Sequence, residues 1–301
     1  MRDRVRRRLE ATIIAIVTTI SLGVPAIPPR SYGASAAWPN EPAGFTVVTD
    51  WPFTTLTGGG WGNLGGSYIV SDAGAALSPA NVAEFPYRIG FTGGVGADNV
   101  YYTFPASKGP QPTELYVGYW WKPSNPWQGH SSGVNKISFH QMDVGGTSNT
   151  FSKQMYGLAP PYFSRITLSF PTSNGHLVPS WGDDPGSRNL IGNNIVLTLG
   201  VWHRIEICAK FSTSPTSRDG IVKWWVDGAV GGDYTTVNYP GPGHFVEFDF
   251  APTWGGVGDT KTQNDFYWYD HVHISTGSGT GSGCLGTSSQ FPQPPINVTA
   301  G

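Results

Sequence analysis

Leu199-Gly-Val-Trp-His-Arg-Ile-Glu-Ile-Cys-Ala-Lys-Phe211, followed by Ser212–Gly220 and then Ile221-Val-Lys-Trp-Trp-Val-Asp-Gly228, decides the fold class. In the first part His203, Ile205, Ile207 and Ala209 alternate with Arg204, Glu206, Cys208 and Lys210. Period-two alternation marks a half-buried strand, because successive side chains leave a strand on opposite faces. A polar turn ending in Asp219-Gly220, a second short strand and the turn Asp227-Gly228 follow. That order is an antiparallel meander.

Similar runs recur along the chain: Phe45–Asp50, Ser67–Val70, Asn99–Phe104, Leu115–Lys122, Asn135–Met142, Arg165–Phe170, Ile195–Leu199, Phe245–Phe250 and Asp265–Ser275. Turns rich in Gly, Pro, Asn and Asp separate them, and no stretch after the N-terminal segment keeps a helical period. About a dozen short strands predict an all-β protein made of two packed antiparallel sheets. Alternation puts Ile137, Phe139, Ile166, Leu168, Ile205, Ile207, Val246, Phe248, Val272 and Ile274 in the core.

The Trp202–Gly228 stretch resembles the "W-h-x-v-x-i … G-x-v-x-x-W-v-D-G" pattern of concanavalin A-like β-sandwiches (jelly rolls). That superfamily includes lectins, laminin G modules, family 16 glucanases and polysaccharide lyases. Val70–Gly94 and Leu115–Lys136 look like secreted jelly-roll proteins grouped with heparin- and alginate-lyase-like families. The resemblance covers about residues 45–275 and implies a carbohydrate ligand. It is specific for fold more than for activity.

Residues 1–36 read as a secretory signal peptide: a basic stretch with Arg2, Arg4 and Arg6-Arg7-Arg8, an apolar stretch from Ala11 to Val24 too short to span a membrane comfortably, and a small-x-small site at Ala34-Ser35-Ala36. The expected location is therefore extracellular. Without that segment the chain keeps 12 basic and 18 acidic residues, a net charge of about −6 with His neutral. Such a balance argues against nucleic acid as a partner, because phosphate binding needs a basic surface. Residues 37–275 are the expected jelly roll, one domain by length. Residues 276–301 form a Gly/Ser/Pro-rich tail whose end, Gln293-Pro-Pro-Ile-Asn-Val-Thr-Ala300, resembles the opening of a fibronectin type III module. Secretion permits a disulfide, and the two cysteines, Cys208 and Cys284, either form a bridge that pins this tail or remain separate thiols.

Three strands suggest a groove. Alternation sets Lys136, Ser138 and His140 on one face of theirs, Arg165, Thr167 and Ser169 on one face of the next, and Tyr116, Trp120 and Lys122 on one face of a third. If these faces line one concave sheet, the groove has cations for uronate carboxylates and aromatic rings for sugar faces. Trp127 and Trp254 are expected at its rim. β-Elimination of a uronate polymer would need carboxylate neutralisation, a base and an acid. Lys136 or Arg165 would neutralise, His140 would be the base and Tyr267 base or acid. Jelly-roll alginate lyases carry Gln-x-His on one strand and a Tyr-rich motif near the end. Here His140-Gln141 has the reverse order, Asp265–His271 stands where the Tyr-rich motif would lie, and the family's Arg-x-Glu-x-Arg strand is missing.

Glu247 and Asp249, two residues apart on one strand face, are expected to contact substrate. They resemble the first two acids of the family 16 "E-x-D-x-x-E" motif, but Pro252 holds the third position, and a retaining hydrolase needs that second properly spaced carboxylate. Asp270 stands in an otherwise apolar set and matches the acid that holds a structural Ca²⁺ in many sandwiches of the superfamily, with Asp98 or Asp72 as partner; hydrogen bonding to backbone N–H groups or pairing with Arg88 is the alternative. The leading expectation is a secreted module that binds a polysaccharide, neutral or anionic, in its groove. A polysaccharide lyase is the alternative, and a family 16-like hydrolase or an adhesive ectodomain rank below it.

Overall fold

A computed structural model describes residues 37–77, 79–133, 135–143, 163–170, 172–173, 176–177, 180–182, 190–191, 195, 197–214, 216–237, 243–277 and 283–286; for residue 139 and residues 141–191 it describes the backbone alone. The expected signal peptide lies outside the described residues. The strands in chain order are β1 (Thr46–Trp51), β2 (Trp61–Asn63), β3 (Tyr68–Ser71), β4 (Asn81–Tyr87), β5 (Val100–Thr103), β6 (Glu114–Pro123), β7 (Asn135–Asp143), β8 (Phe163–Phe170), β9 (Thr172–Ser173), β10 (His176–Leu177), β11 (Ser180–Gly182), β12 (Leu190–Ile191), β13 (His203–Lys210), β14 (Gly220–Val226), β15 (Ala229–Val237), β16 (His244–Phe250) and β17 (Asp265–Thr276). One sheet has the order β15-β14-β13-β6-β17-β4-β3, with β1 also paired to β17. The other runs β12-β11-β8-β7-β16-β5-β2. Every pairing is antiparallel. This is the two-sheet sandwich that the alternation predicts.

The core lies between the sheets. From the eight-stranded sheet it takes Leu115, Val117, Tyr119, Trp121, Ile205, Ile207, Ala209, Tyr267, Tyr269, Val272 and Ile274; from the seven-stranded sheet it takes Val100, Ile137, Phe245, Phe248 and Phe250. β6 and β13 keep strict alternation over their whole length, so their faces match the sequence reading. The β14–β15 turn places Asp227 at φ 53° and Gly228 at φ 86°, the two positive values that a tight two-residue hairpin turn needs.

Among the described residues five strands carry β-bulges, β1, β7, β15, β16 and β17, and those in β7, β16 and β17 change the faces read from alternation. An extra residue in one strand turns all later side chains over. In β7 the register shifts between Lys136 and Ser138, so Ile137, Ser138 and His140 all turn to the core. In β16 it shifts between Phe245 and Glu247. Phe245 and Phe248 are thereby buried and Val246 is left half-exposed, against its expected core position. In β17 it shifts between Asp270 and Val272, where His271 takes φ 40°. Phe139, Ile166 and Leu168, the other expected core residues, have side chains outside the described set. Their register partners are Asp249 and Thr167 for Phe139, His140 for Ile166 and Ser138 for Leu168. Ile195–Leu199, read as a strand, forms none among its described residues.

The outer face of the eight-stranded sheet is largely covered. Trp38 lies over Gly118, where any Cβ would come within 2.4 Å of its ring, and it stacks on His273 at 5.7 Å. Asn40 donates to both carboxylate oxygens of Glu206 from its backbone N–H (3.0 Å) and its side chain (2.9 Å). A Cys208–Cys284 disulfide with Cα atoms 5.7 Å apart clips the tail onto the same face, and the Cys284 N–H donates to Glu114 (2.7 Å). Ala37, Trp38, Tyr116, Cys208, Ile221, Trp225 and Cys284 form a second apolar cluster there. The bridge closes a loop with a sequence separation of 76 residues. Cys208→Ser/Cys284→Ser is expected to cost about 2–4 kcal/mol, mainly by freeing the unfolded chain. Urea denaturation measures it, and an unchanged midpoint would refute it.

Candidate functional site

The outer face of the seven-stranded sheet carries a set of polar residues. Antiparallel register lines them up in rows across the strands. One row runs Thr103, Glu247, Gln141, Arg165; the next runs Gly62, Tyr101, Asp249, Phe139, Thr167. Lys136 stands opposite Ser169, four residues from Arg165 on β8, or about 13 Å along the strand. Tyr101 and Thr103 are half-exposed, while Val100, Tyr102 and Phe104 are buried on the other side. The Tyr101 ring lies across Gly62, where a Cβ would sit 2.4 Å from Cζ, so only glycine lets the tyrosine lie flat at that position.

Glu247 and Asp249 have no exposed surface. Neither oxygen of Glu247 receives a hydrogen bond from a protein donor. Burial, reinforced by the neighbouring Asp249 carboxyl, pushes the Glu247 pKa well above the usual carboxylate range. A shift in that direction favours the neutral form of the Glu247 carboxyl, which donates hydrogen bonds as well as accepting them.

The other expected site residues lie elsewhere. Ser138 and His140 point into the core because of the β7 bulge. Ser138 shares a 2.7 Å hydrogen bond with the Tyr119 hydroxyl, and the His140 ring packs on Phe248 at 5.1 Å. Burial pulls the His140 pKa down to about 3, so it stays neutral and does not take up a substrate proton. Tyr267 is buried, stacked on Trp127 at 4.2 Å. Tyr116, Trp120 and Lys122 belong to β6, hence to the outer face of the opposite sheet. There Tyr116 donates to Glu206 (2.6 Å), Trp120 lies 5.9 Å beneath the Arg204 guanidinium, and Lys122 is ion-paired with Asp72 between the rings of Trp202 and Trp268. Alternation tells in from out but not which sheet a strand joins, and the chain crosses between sheets from β6 to β7. Trp127 and Trp254 form no rim; both are buried around the Lys261 ammonium, at 3.8 and 4.4 Å. Lys136, Glu247 and Asp249 remain on one face, Arg165 holds a register position in the Glu247 row, and Tyr101 and Thr103 join them. The alternation of Asn99–Phe104 carried the signal for those two.

Asp270, the expected calcium ligand, is held by protein groups. One carboxylate oxygen accepts the Leu77 N–H at 2.6 Å and the other lies 3.0 Å from His271 Nδ1. Asp98 is held by Asn63, Ser67 and Asn99, and Asp72 by Lys122. Among the described residues no three His, Cys, Asp or Glu side chains converge as a metal cluster.

Solved structures share this architecture. Alginate lyase vAL-1 from Chlorella virus superposes with a TM-score of 0.57 at 17% identity, over 77% of this chain and all of its own (100%). The endo-β-1,4-glucuronan lyase of the fungus Trichoderma reesei gives 0.51 at 16% identity, over 72% and 90%. The marine PL-14 alginate lyase of Aplysia kurodai gives 0.51 at 14%, over 76% and 90%. What this chain shares with them is the fold, a jelly-roll sandwich of two antiparallel sheets. No protein-family model matches the chain, and no curated protein matches its sequence. Among the described residues no helix is long and apolar enough to cross a membrane.

Proposed function

We propose that this is a secreted protein that binds a polysaccharide across the outer face of its seven-stranded sheet. The observation that carries the reading is the pair of polar rows there, with Tyr101 and Thr103 half-exposed beside the buried Glu247–Asp249 pair. A half-exposed ring beside hydrogen-bonding groups suits a sugar, which offers an apolar ring face and a polar rim. The N-terminal strap and the disulfide-held tail occupy much of the opposite outer face. Secretion rests on the reading of residues 1–36 and on the Cys208–Cys284 bond, which belongs to oxidising compartments.

Titration calorimetry against polymannuronate, polyguluronate, glucuronan and a neutral glucan tests it. Tyr101→Ala is expected to weaken the bound glycan about tenfold, or about 1.4 kcal/mol. Trp268→Ala, on the opposite sheet, is expected to leave affinity unchanged. The reverse pattern would move the site to the other face.

Elimination is the second reading. Tyr101 is the half-exposed proton-transfer group in the row beside that of Arg165, which would neutralise the uronate carboxylate. The solved structures that share the fold are named as alginate and glucuronan lyases. Unsaturated uronate ends, followed by ultraviolet absorbance, would establish this reading. Tyr101→Phe should then lower kcat about a hundredfold or more with KM little changed.

A further inference from the structure

β2 is the edge strand of the seven-stranded sheet, and its Gly62 stands opposite Tyr101 of β5. Trp61 turns to the core, so Gly62 is the next, outward position of the strand. A glycine inside a strand weakens it, so its presence calls for a local reason. Backbone conformation is not that reason. Gly58, Gly59, Gly60, Gly65 and Gly66 around it all take positive φ, and Gly62 does not. The reason is space. A Cβ at Gly62 would lie 2.4 Å from Tyr101 Cζ, 2.6 Å from its hydroxyl oxygen and 2.7 Å from Cε2. The ring therefore leans from β5 over the edge strand, away from Asp249 on β16, and rests on bare backbone while staying half-exposed.

We propose that Gly62 is a positioning residue of the polysaccharide-binding face: it lays the Tyr101 ring flat across β2 as a stacking platform for one pyranose unit at the edge of the sheet. The inference rests on the polysaccharide-binding reading and names what that end recognises. Stacking uses the apolar face of a sugar and needs no charge on it. This end therefore takes neutral and acidic sugars alike, and discrimination by charge falls to Lys136 and the register position of Arg165, on β7 and β8 beyond β16. A ring already fixed on the strand loses less freedom on binding than one that swings in solvent. Any side chain at position 62 would tip the ring off β2. A cross-strand aromatic over an edge glycine can also serve the sheet alone, and the experiment separates the two roles.

Wild type, Gly62→Ala, Tyr101→Phe, Tyr101→Ala and the double variant Gly62→Ala/Tyr101→Ala are checked by circular dichroism, melted, and titrated calorimetrically with polymannuronate, polyguluronate, glucuronan and a neutral glucan. For every glycan that wild type binds, Gly62→Ala is expected to weaken binding about tenfold, as Tyr101→Ala does, while the conservative Tyr101→Phe stays within about threefold. The double variant should be no weaker than Tyr101→Ala, because once the ring is gone the added methyl displaces nothing. The Gly62→Ala loss should be the same at low and at physiological ionic strength, since stacking has no charge pair to screen. Affinity untouched in Gly62→Ala, with only the melting temperature lowered, overturns this inference, leaves the glycine a purely structural contact, and leaves the binding reading standing. A double variant about tenfold weaker than Tyr101→Ala overturns it as well. Tyr101→Phe needs no extra room and carries the test even if Gly62→Ala folds poorly: affinity as low as that of Tyr101→Ala would put recognition on the hydroxyl and overturn the platform. Absence of binding to any glycan overturns the binding reading and this inference with it.

Discussion

Lys261→Met is expected to destabilise the protein by about 3–5 kcal/mol, the cost of leaving a buried carboxylate without its partner. For a chain of this size that lowers the melting temperature by about 10 °C or more. Lys261 and Asp265 are buried and ion-paired. The ammonium also donates to the Gln128 carbonyl (2.8 Å) and lies over the faces of Trp127, Trp254 and Tyr87. Asp265 accepts from the Gln128 N–H (2.9 Å) and the Gln263 amide (2.6 Å). Removing the lysine strands all of these groups. Asp265→Asn should cost a similar amount for the converse reason. The double variant Lys261→Met/Asp265→Leu should lose much less than the two single losses combined, because an apolar pair leaves no charge behind. Calorimetric melting of the four proteins gives the coupling energy, and additive losses would show that the pair does not act as a unit.

That cage also reaches the candidate site. Trp254 bridges to Asn135 at the start of β7, and the Lys136 N–H donates to the Thr253 carbonyl at 2.9 Å. Gln128 ties the two loops together, accepting from Thr262 and passing its own carbonyl to both Trp254 and Lys261. The cage therefore fixes where β7 begins, and with it the register that brings Gln141 opposite Glu247.

What the sequence made legible follows from how each strand keeps its period. β6 and β13 alternate without interruption, so both of their faces were readable. β7, β16 and β17 each carry a bulge, and nothing in Lys136-Ile-Ser, Phe245-Val-Glu or Asp270-His-Val marks one. A single inserted residue moved Ser138 and His140 from an expected groove into the core. β4 escaped notice because Pro86 interrupts it; the proline is tolerated because β3 pairs only as far as Glu84, so no strand needs its missing N–H on that side. β15 escaped because Gly231-Gly232 reads as a loop, yet those glycines make room for the Trp224 ring, where a Cβ would come within 2.1–2.3 Å. The aromatic residues of loops were read as sugar platforms, but Trp127 and Trp254 serve a buried lysine that local sequence does not reveal. Glu247 and Asp249 were legible as a same-face pair; their burial, which sets their chemistry, depends on the tertiary fold.

Above pH about 10 the protein is expected to lose stability steeply and to unfold within one to two pH units. Tyr87, Tyr116, Tyr119, Tyr267 and Tyr269 are fully buried, and burial raises the pKa of each phenol above its ordinary value. Tyr116 is raised further by the Glu206 carboxylate to which it donates. Below pH 10 these groups are protonated in both folded and unfolded chains and have no effect on the balance. Above it the unfolded chain gives up protons that the folded chain keeps, so stability falls as pH rises through this window. Each group contributes about 1.4 kcal/mol per pH unit, and five together about 7, against a typical total of about 5–15 kcal/mol. Two other groups act earlier and in opposite directions. For His273, burial works against the charged form, but the Asp50 and Glu41 carboxylates outweigh it and raise its pKa to about 9. Its contribution is complete below about pH 6.5 and is lost as pH rises through 9. Burial lowers the Lys261 pKa to about 8 against the pull of Asp265, so between pH 8 and about 10.4 the unfolded chain holds the extra proton and stability rises. These two shifts are similar in size, so only a shallow dip is expected before pH 10. Tyrosinate absorbance and circular dichroism recorded on one alkaline titration should change together, in a cooperative step above pH 10. Five phenols that ionise near pH 10 while the sheet signal persists would contradict a core closed to water.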